Sequence, residues 1–312
     1  MLVCCGLTTL DMTQVVERLP APDEKVTALS LDVDLGGPAA NAAATAVALG
    51  VPTTLVTAIG AGPLGQVVRA RLDAAGVRVV DLLEGADVDP PTSTVLVTEE
   101  TGERAVVSVN DTRPRELARV PDGVLAGART LLLDGWLADV ALPLARTARA
   151  AGLGVALDGG SFKPDTPELL AECDVAIVSA DFHLPHSGVF DPPTTAPPGS
   201  LEDLAAISAH GPGFVARSAG AGPIAALVEG AVVEVRVPRA SRVVDTLGAG
   251  DVLHGAFAAA WSAWPARELE ALRLAARVAT ASVEHAGARG WTRDEALRAG
   301  FAGEIAGGPS VL

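Results

Sequence analysis

The sequence predicts an α/β fold in three layers, a mostly parallel central sheet flanked by helices, with a small second β-sheet outside it as a lid. Three observations predict it. From about residue 115 onward, apolar strand-like runs alternate with helical ones, the pattern of a parallel sheet joined by right-handed crossovers. Residues 13–35 and 90–110 instead mix apolar and polar positions in the manner of strands with one solvated face. Finally, Asp245-Thr246-Leu247-Gly248-Ala249-Gly250-Asp251 lies between a strand-like and a helix-like run, a turn of the kind that meets ligands at the end of a sheet. The expected division is a core of residues 1–12, 36–89 and 111–312 and a discontinuous lid of residues 13–35 and 90–110. At 312 residues and 49% hydrophobic content, the chain can bury a sizeable core.

In order, Leu2 to Leu10 reads as a buried first strand closed by Asp11. Asp11 at a strand's C-terminal edge can serve as a turn residue or grip ligand hydroxyls. Val15, Val26, Leu29, Leu31 and Val33 then recur among polar neighbours as lid strands. Gly36-Gly37-Pro38-Ala39-Ala40-Asn41 opens an alanine-rich helix, Ala42 to Leu49, stopped by Gly50. Asn41, in its first turn, can cap the helix or offer its amide to a polyol. Thr53 to Ile59 is a second core strand, followed by Gly60-Ala61-Gly62-Pro63-Leu64-Gly65 and an amphipathic helix to Ala75. That spacing formally matches the dinucleotide-binding fingerprint, with Asp81 as the ribose-holding acid, so a nicotinamide-dependent oxidoreductase is a rival reading. The pattern alone is weak, and Pro63 falls where the helix begins.

Val95 to Val97 and Ala105 to Val109 flank Thr101-Gly102-Glu103-Arg104 as a hairpin joining the earlier lid strands. Strand Thr130 to Leu133, helix Val140 to Ala151, strand Gly154 to Leu157 and strand Val175 to Val178 follow, with Asp158 at a strand end and Lys163 soon after. Asp191 to Ser200 reads as a surface loop. Phe214 to Arg217 is a strand leading into Ser218-Ala219-Gly220-Ala221-Gly222, and Asp251 to Trp264 and Glu268 to His285 are helices. His254 and His285 read as packing or surface residues, no carboxylate or cysteine standing at metal spacing. Gly307 to Leu312 is expected to fray.

A formal net charge of −15 argues against a nucleic-acid partner, since phosphate backbones are met by clustered Lys and Arg. Lys25 and Lys163 are the only lysines, and no Gly-Lys-Ser/Thr triplet exists, so a phosphate site must use backbone amides, a metal or arginine. Cys4, Cys5 and Cys173 form no disulfide framework. Without a basic leader or a long apolar run, a soluble, cytoplasmic protein with no membrane partner is expected.

The chemistry concentrates at residues 248–251. Gly248, Ala249 and Gly250 have little or no side chain, so their N–H groups can approach a ligand at a helix start whose dipole favours an anion. Asp251 is the odd member there. It is either an N-cap or a general base for a phosphoryl acceptor.

Residues 243 to 257, Val-Val-Asp-Thr-Leu-Gly-Ala-Gly-Asp-Val-Leu-His-Gly-Ala-Phe, resemble the C-terminal signature of the ribokinase-like (PfkB) family of carbohydrate kinases. Gly36-Gly37 followed by Asn41 is similar to its N-terminal motif, and in motif detail the resemblance is nearest to ketohexokinase-type sugar kinases. It implies ATP-dependent phosphorylation of a sugar primary hydroxyl, with Asp251 as general base and the backbone of Gly248, Ala249 and Gly250 as anion hole. By the same resemblance Asp11, Gly37 and Asn41 hold the sugar, and Arg104, Gly220, Gly222, Asp245 and Thr246 meet the nucleotide. Mg²⁺ would bridge the phosphates, K⁺ is a further candidate cofactor, and the lid would pair two subunits into a homodimer. Departures are Pro38 at a sugar-contacting position, Gly62 for a family Asp, Arg217 and Ala219 in the nucleotide loop, and Ser179 and Phe182 in place of Asn-x-x-Glu. They leave a non-catalytic sugar- or nucleotide-binding relative as the alternative. With aromatics only 3% of the chain and no Tyr to stack on a base, a sugar or sugar acid is the expected acceptor in preference to a nucleoside.

Overall fold

The structure, a computed structural model, describes residues 1–101, 103–109, 116–185 and 196–309. The chain runs β1 (Leu2–Cys5), β2 (Thr9–Val16), β3 (Ser30–Gly36), α1 (Pro38–Ala48), β4 (Thr53–Thr57), α2 (Pro63–Ala74), β5 (Arg78–Asp81), β6 (Thr92–Thr98) and β7 (Arg104–Val109). It continues through β8 (Thr130–Leu133), α3 (Ala138–Ala150), β9 (Gly154–Gly159), α4 (Thr166–Ala171), β10 (Val175–Val178), α5 (Leu201–Ser208), β11 (Phe214–Arg217), β12 (Ile224–Val228) and β13 (Ala231–Val235). The helices α6 (Ala249–Ala263), α7 (Glu268–Ser282) and α8 (Glu295–Gly307) complete it, with a 3₁₀ turn at Gly290–Arg293 between the last two.

The main sheet has nine strands in the order β13-β12-β11-β10-β9-β8-β1-β4-β5. Every pairing from β11 to β5 is parallel, and β12 and β13 add an antiparallel edge. Because side chains alternate along a strand, Leu2 and Cys4 of β1 join a core with α1, α6 and α7, while Val3 and Cys5 join a core with α3, α4 and α5. The result is the three-layer arrangement expected. Among the described residues no helix is long and apolar enough to cross a membrane.

The second sheet has the order β3-β2-β6-β7. The apolar run Leu2 to Leu10 is therefore two strands in two sheets, with a break at Gly6-Leu7-Thr8. The break has a physical cause. Leu7 N–H donates to Asp134 Oδ2 at 2.8 Å, and a Cβ on Gly6 would stand 2.0 Å from the same carboxylate, so the backbone bends against Asp134 and leaves the main sheet. Asp11 consequently lies in a strand of the second sheet and does not end a core strand. Gly102 of the expected hairpin turn and residue 110 of the expected lid lie outside the described residues, as do 191–195 of the expected loop and 310–312 of the expected frayed end; Gly307 closes α8.

Candidate active site

Asp251 stands in the first turn of α6, whose N-cap, Gly248, has φ 71°. That left-handed backbone suits glycine, and a Cβ there would stand 2.4 Å from the Ala288 Cβ. α1 begins at Pro38, where a missing N–H costs nothing, after Gly37 at φ 94°. These two helices pack at backbone distance: a Cβ on Gly255 of α6 would lie 2.5 Å from the Ala42 carbonyl oxygen of α1. Close approach is what lets Asn41 reach Asp251. Asn41 Nδ2 donates to Asp251 Oδ2 at 2.7 Å, joining residues 210 positions apart. Asn41 Oδ1, also buried, has no hydrogen-bond partner among the described residues. An unpaired buried amide oxygen beside a carboxylate is a costly feature that a ligand hydroxyl would relieve.

Burial pushes the Asp251 carboxyl up to about 7, the charge of Asp158 adding to the rise and the Asn41 hydrogen bond opposing it. A carboxylate so tuned can take a proton near neutral pH. Two further acids in the same field were not singled out as site residues by sequence reasoning, or only in passing. Asp134, directly after β8, accepts N–H bonds from Leu7 (2.8 Å), Ala39 (3.1 Å) and Trp136 (2.9 Å), and burial lifts it to about 6. Its signal was the one used for Asp11 and Asp158, an acid closing an apolar run. Asp158 is raised by burial and by Asp134, with Lys163 pulling the other way.

His254 is buried at 4% exposure, as a packing histidine would be, but it does more than fill space. Its Nδ1 lies 2.7 Å from the Gly250 carbonyl and 3.2 Å from Asp158 Oδ2, and its Nε2 lies 3.1 Å from the Ile177 carbonyl. It pins the first turn of α6 to β9 and β10, and burial pushes it toward the neutral form.

Beside this turn opens a cavity of about 990 Å³, lined by Arg104, Gly220 and Thr246 of the residues expected to meet a nucleotide and by Ala249 and Gly250 of the expected anion hole. Its other walls are largely apolar, including Ile224, Val237, Leu253 and Ala276, with Arg239 and Arg242 as further basic residues that no motif marks. Gly222 and Asp245 act from outside the wall. Gly222 N–H closes a turn on the Ala219 carbonyl at 2.9 Å. The Asp245 oxygens accept from Leu247 N–H (2.8 Å) and Gly287 N–H (2.9 Å), setting the shape of the Gly-rich turn. Ala249 N–H leans on the Thr246 carbonyl at 3.3 Å, and the amides that follow it are the ordinary orphan donors of a helix start.

Arg217, the departure in the nucleotide loop, does not enter the cavity. It is 3% exposed and turns inward, Nε and Nη2 pairing with Asp203 at 2.7 and 2.9 Å, Nη1 donating to the carbonyls of Ser179 (2.7 Å) and Phe182 (2.8 Å). The altered loop and the altered Asn-x-x-Glu segment are thus tied together by one guanidinium.

Asp11 sits on β2, apart from α1 and α6, with no hydrogen bond to Asn41 or Asp251 among the described residues. Its Oδ1 accepts from Thr9 Oγ1 at 2.7 Å, and burial raises its carboxyl. Register places Asp34, Asp11, Ser93 and Ser108 side by side across the four lid strands, hence on one face. A Cβ on Gly36 would lie 2.0 Å from Asp11 Oδ2, so Asp11 lies against the end of β3, two residues before α1 begins.

The dinucleotide reading fails on geometry. The start of α2 is already filled by Asp89, which accepts from Leu64 N–H at 2.8 Å. Asp81 is buried and saturated, accepting from Ile59 N–H (2.8 Å), Gly60 N–H (3.1 Å) and Leu83 N–H (2.9 Å) and pairing with Arg69. Neither a pyrophosphate nor a ribose has a free partner there.

Comparison with known proteins places the chain in a family. Residues 1–294 match the model of the pfkB family carbohydrate kinases. Ribokinase of Arabidopsis thaliana is 27% identical over 299 residues, covering 92% of this chain and 77% of that protein. An ATP-dependent ribose-1-phosphate kinase of Halopiger xanaduensis is 29% identical over 272 residues, covering 82% and 83%. Among solved structures, Arabidopsis ribokinase complexed with ribose and ATP superposes with a TM-score of 0.76 at 24% identity, covering 96% of this chain and 98% of that one. Ribokinase from Thermotoga maritima gives a TM-score of 0.76 at 19% identity, covering 97% and 99%. The chain belongs to the pfkB family of carbohydrate kinases.

Proposed function

We propose that the protein transfers the γ-phosphoryl group of ATP to a primary hydroxyl of a sugar or sugar derivative, with Asp251 as general base. The observation that carries this is the Asn41–Asp251 hydrogen bond, which puts an amide with an unpaired buried oxygen directly on a carboxylate raised to about 7. The sugar oxygen gains a bond to the γ-phosphorus, the bond to the β,γ-bridging oxygen breaks, ADP leaves, and the hydroxyl proton passes to Asp251. Backbone amides at the start of α6, from Gly248 to Asp251, stabilise the charge on the moving phosphoryl group. Asp11, Gly37 and Asn41 shape the acceptor site, and the lid's polar row excludes water, the competing acceptor. The cavity beside α6 takes the nucleotide, its apolar wall suiting the base and Arg104 the phosphates.

Mg²⁺ would neutralise phosphate charge. No group of three His, Cys, Asp or Glu suited to a metal exists among the described residues, so these side chains fit an ion carried on the nucleotide better than a protein cage. Both Asp245 oxygens already accept amides; a K⁺ ion would need carbonyl ligands, and no step above depends on one. The lid's outer face supports a homodimer: Leu31, Val107 and Val109 share the side opposite Asp11 and are 62%, 73% and 62% exposed.

The test is an ATP-consumption screen over ribose, ribose 1-phosphate, other aldoses, ketoses, sugar acids and nucleosides, the first two suggested by the names of the relatives. Sugar-dependent ADP release with a matching sugar phosphate is expected. Binding without turnover of any acceptor would favour a non-catalytic relative instead.

A further inference from the structure

We propose that Arg289 and Asp34 are a positioning pair that fixes the lid, and Asp11 with it, at a set distance from the catalytic turn; this rests on the kinase reading above. A continuous series of contacts connects the two. Residues 283–288 are fastened to the Gly-rich turn by Val244 N–H to the Val283 carbonyl (2.8 Å), by Gly287 N–H to Asp245 Oδ2 (2.9 Å) and by Ala288 packed on Gly248. Trp291, 0% exposed, anchors the chain just beyond. Between these fixed points Arg289 reaches across 255 positions of sequence to pair with Asp34 of β3. Asp34 lies directly opposite Asp11 in the β2–β3 ladder, so the two carboxylates share a face one strand apart.

Geometry distinguishes this pair from an ordinary surface ion pair. The Arg289 and Asp34 side chains are 17% and 31% exposed, whereas Arg71, which also approaches Asp34, is 50% exposed and stays 3.8 Å away. β3 is one of the two edge strands of the lid, hydrogen-bonded to β2 alone, and the pair gives it a side-chain fastening to the core. Arg71 adds a second, weaker one by donating to the Val33 carbonyl at 3.1 Å. Neither Asp34 nor Arg289 touches the reacting atoms. Their role is to hold Asp11 where a sugar bridging it to Asn41 presents its hydroxyl to Asp251, and to keep the lid closed against water.

The experiment compares wild type with Arg289→Gln, Asp34→Asn, the double variant, Arg289→Lys and the exchanged pair Asp34→Arg/Arg289→Asp. For each, sugar KM, ATP KM, the ratio of ADP to sugar phosphate formed, and the melting temperature are measured. Each neutral single variant is expected to raise sugar KM roughly tenfold, the scale of a partly buried charge pair, with a smaller change in ATP KM. The ADP ratio should climb above one as water competes. The double variant should be no worse than the worse single, and Arg289→Lys should recover part of the loss. A normally melting Arg289→Gln protein with wild-type sugar KM and ratio, or singles whose effects multiply in the double, would overturn the proposal. If wild type shows no sugar-dependent turnover, the kinase reading fails instead. Hydrogen exchange then decides the pair separately: Asp34→Asn must lose amide protection in β2 and β3 for the fastening to stand.

Discussion

Replacing Asp251 by Asn separates a catalytic role from a purely structural one in the first turn of α6, because only the catalytic role predicts a loss of turnover. Asn keeps the shape and an oxygen to accept from Asn41 Nδ2, so the α1–α6 contact survives. As general base, Asp251 is needed for proton removal, and its loss should lower kcat by about 10² to 10⁴ with sugar KM little changed. The carboxyl is lifted from an ordinary 3.8 to about 7 by burial, so the folded protein holds its proton more tightly than the unfolded chain. Its contribution to stability is therefore complete below about pH 4 and is lost as pH rises through 7. A shift of about three units corresponds to roughly 4 kcal/mol. Asp251 keeps some exposure, so a net of about 1 to 2 kcal/mol is expected after solvent screening. Above pH 7 the Asn variant should therefore be the more stable protein by that amount, a rise of a few degrees in Tm; near pH 4 the difference should vanish. The N-cap expected as the alternative role is in fact Gly248, so a purely structural Asp251 would act only as an acid in the first turn of α6, worth about 0.3 to 1 kcal/mol, and its loss would leave turnover unchanged. Melting curves at pH 4 to 8 and a coupled ADP assay give both readouts. Wild-type kcat/KM should rise about tenfold from pH 6 to 8 as the base ionises. Turnover of the Asn variant within a few-fold of wild type, or a lower Tm at pH 8, would refute the assignment.

Asp11→Ala should raise sugar KM by roughly 5- to 100-fold, the worth of a lost hydrogen bond in a dry site, and leave ATP KM alone; equal weakening of both substrates would misplace the acceptor site. Gly255→Leu must part α1 and α6, since its Cβ would lie 2.5 Å from the Ala42 carbonyl. A loss of about 1 to 3 kcal/mol by denaturant titration and a collapse of kcat are expected, and wild-type turnover would show that helix spacing does not set the Asn41–Asp251 contact. Arg217→Met strands the buried Asp203 charge and should cost about 3 to 5 kcal/mol, much of it regained in Arg217→Met/Asp203→Leu; an unchanged denaturation midpoint would contradict the buried pairing. Light scattering should give a dimer for wild type and a monomer for Leu31→Lys/Val107→Asp, a monomeric wild type at micromolar concentration removing the lid interface.

Much of the molecule was readable from local pattern, and what was not has identifiable causes. The strands Thr130–Leu133, Val175–Val178 and Phe214–Arg217 emerged at the bounds expected because each is a short apolar run buried on both faces, which periodicity marks well. The turn before α6 was legible because its glycines and its lone acid conflict with any ordinary cap. The boundary at Gly6 was hidden: Leu7 and Leu10 are as apolar as the strand before them, and only the distant Asp134 turns the backbone aside. Likewise nothing local says that Arg217 faces inward, since its partner Asp203 lies in another element and a strand-end arginine beside a glycine loop looks like a phosphate ligand. The sequence also suggested a dinucleotide fingerprint at Gly60 that Asp89, from a loop beyond β5, occupies in space.

Arg217 and Arg289 each join segments far apart in sequence, yet ionic strength would act on them differently. Screening by dissolved ions reaches charges that solvent can reach, over a length of about 10 Å at 0.1 M salt. The Arg217 and Asp203 side chains, 3% and 8% exposed, lie beneath that reach, whereas Asp34 at 31% lies within it. Concentrated salt should therefore leave the Arg217 junction between β11 and α5 intact while it slackens the lid, so that added electrolyte loosens the hold on Asp11 first.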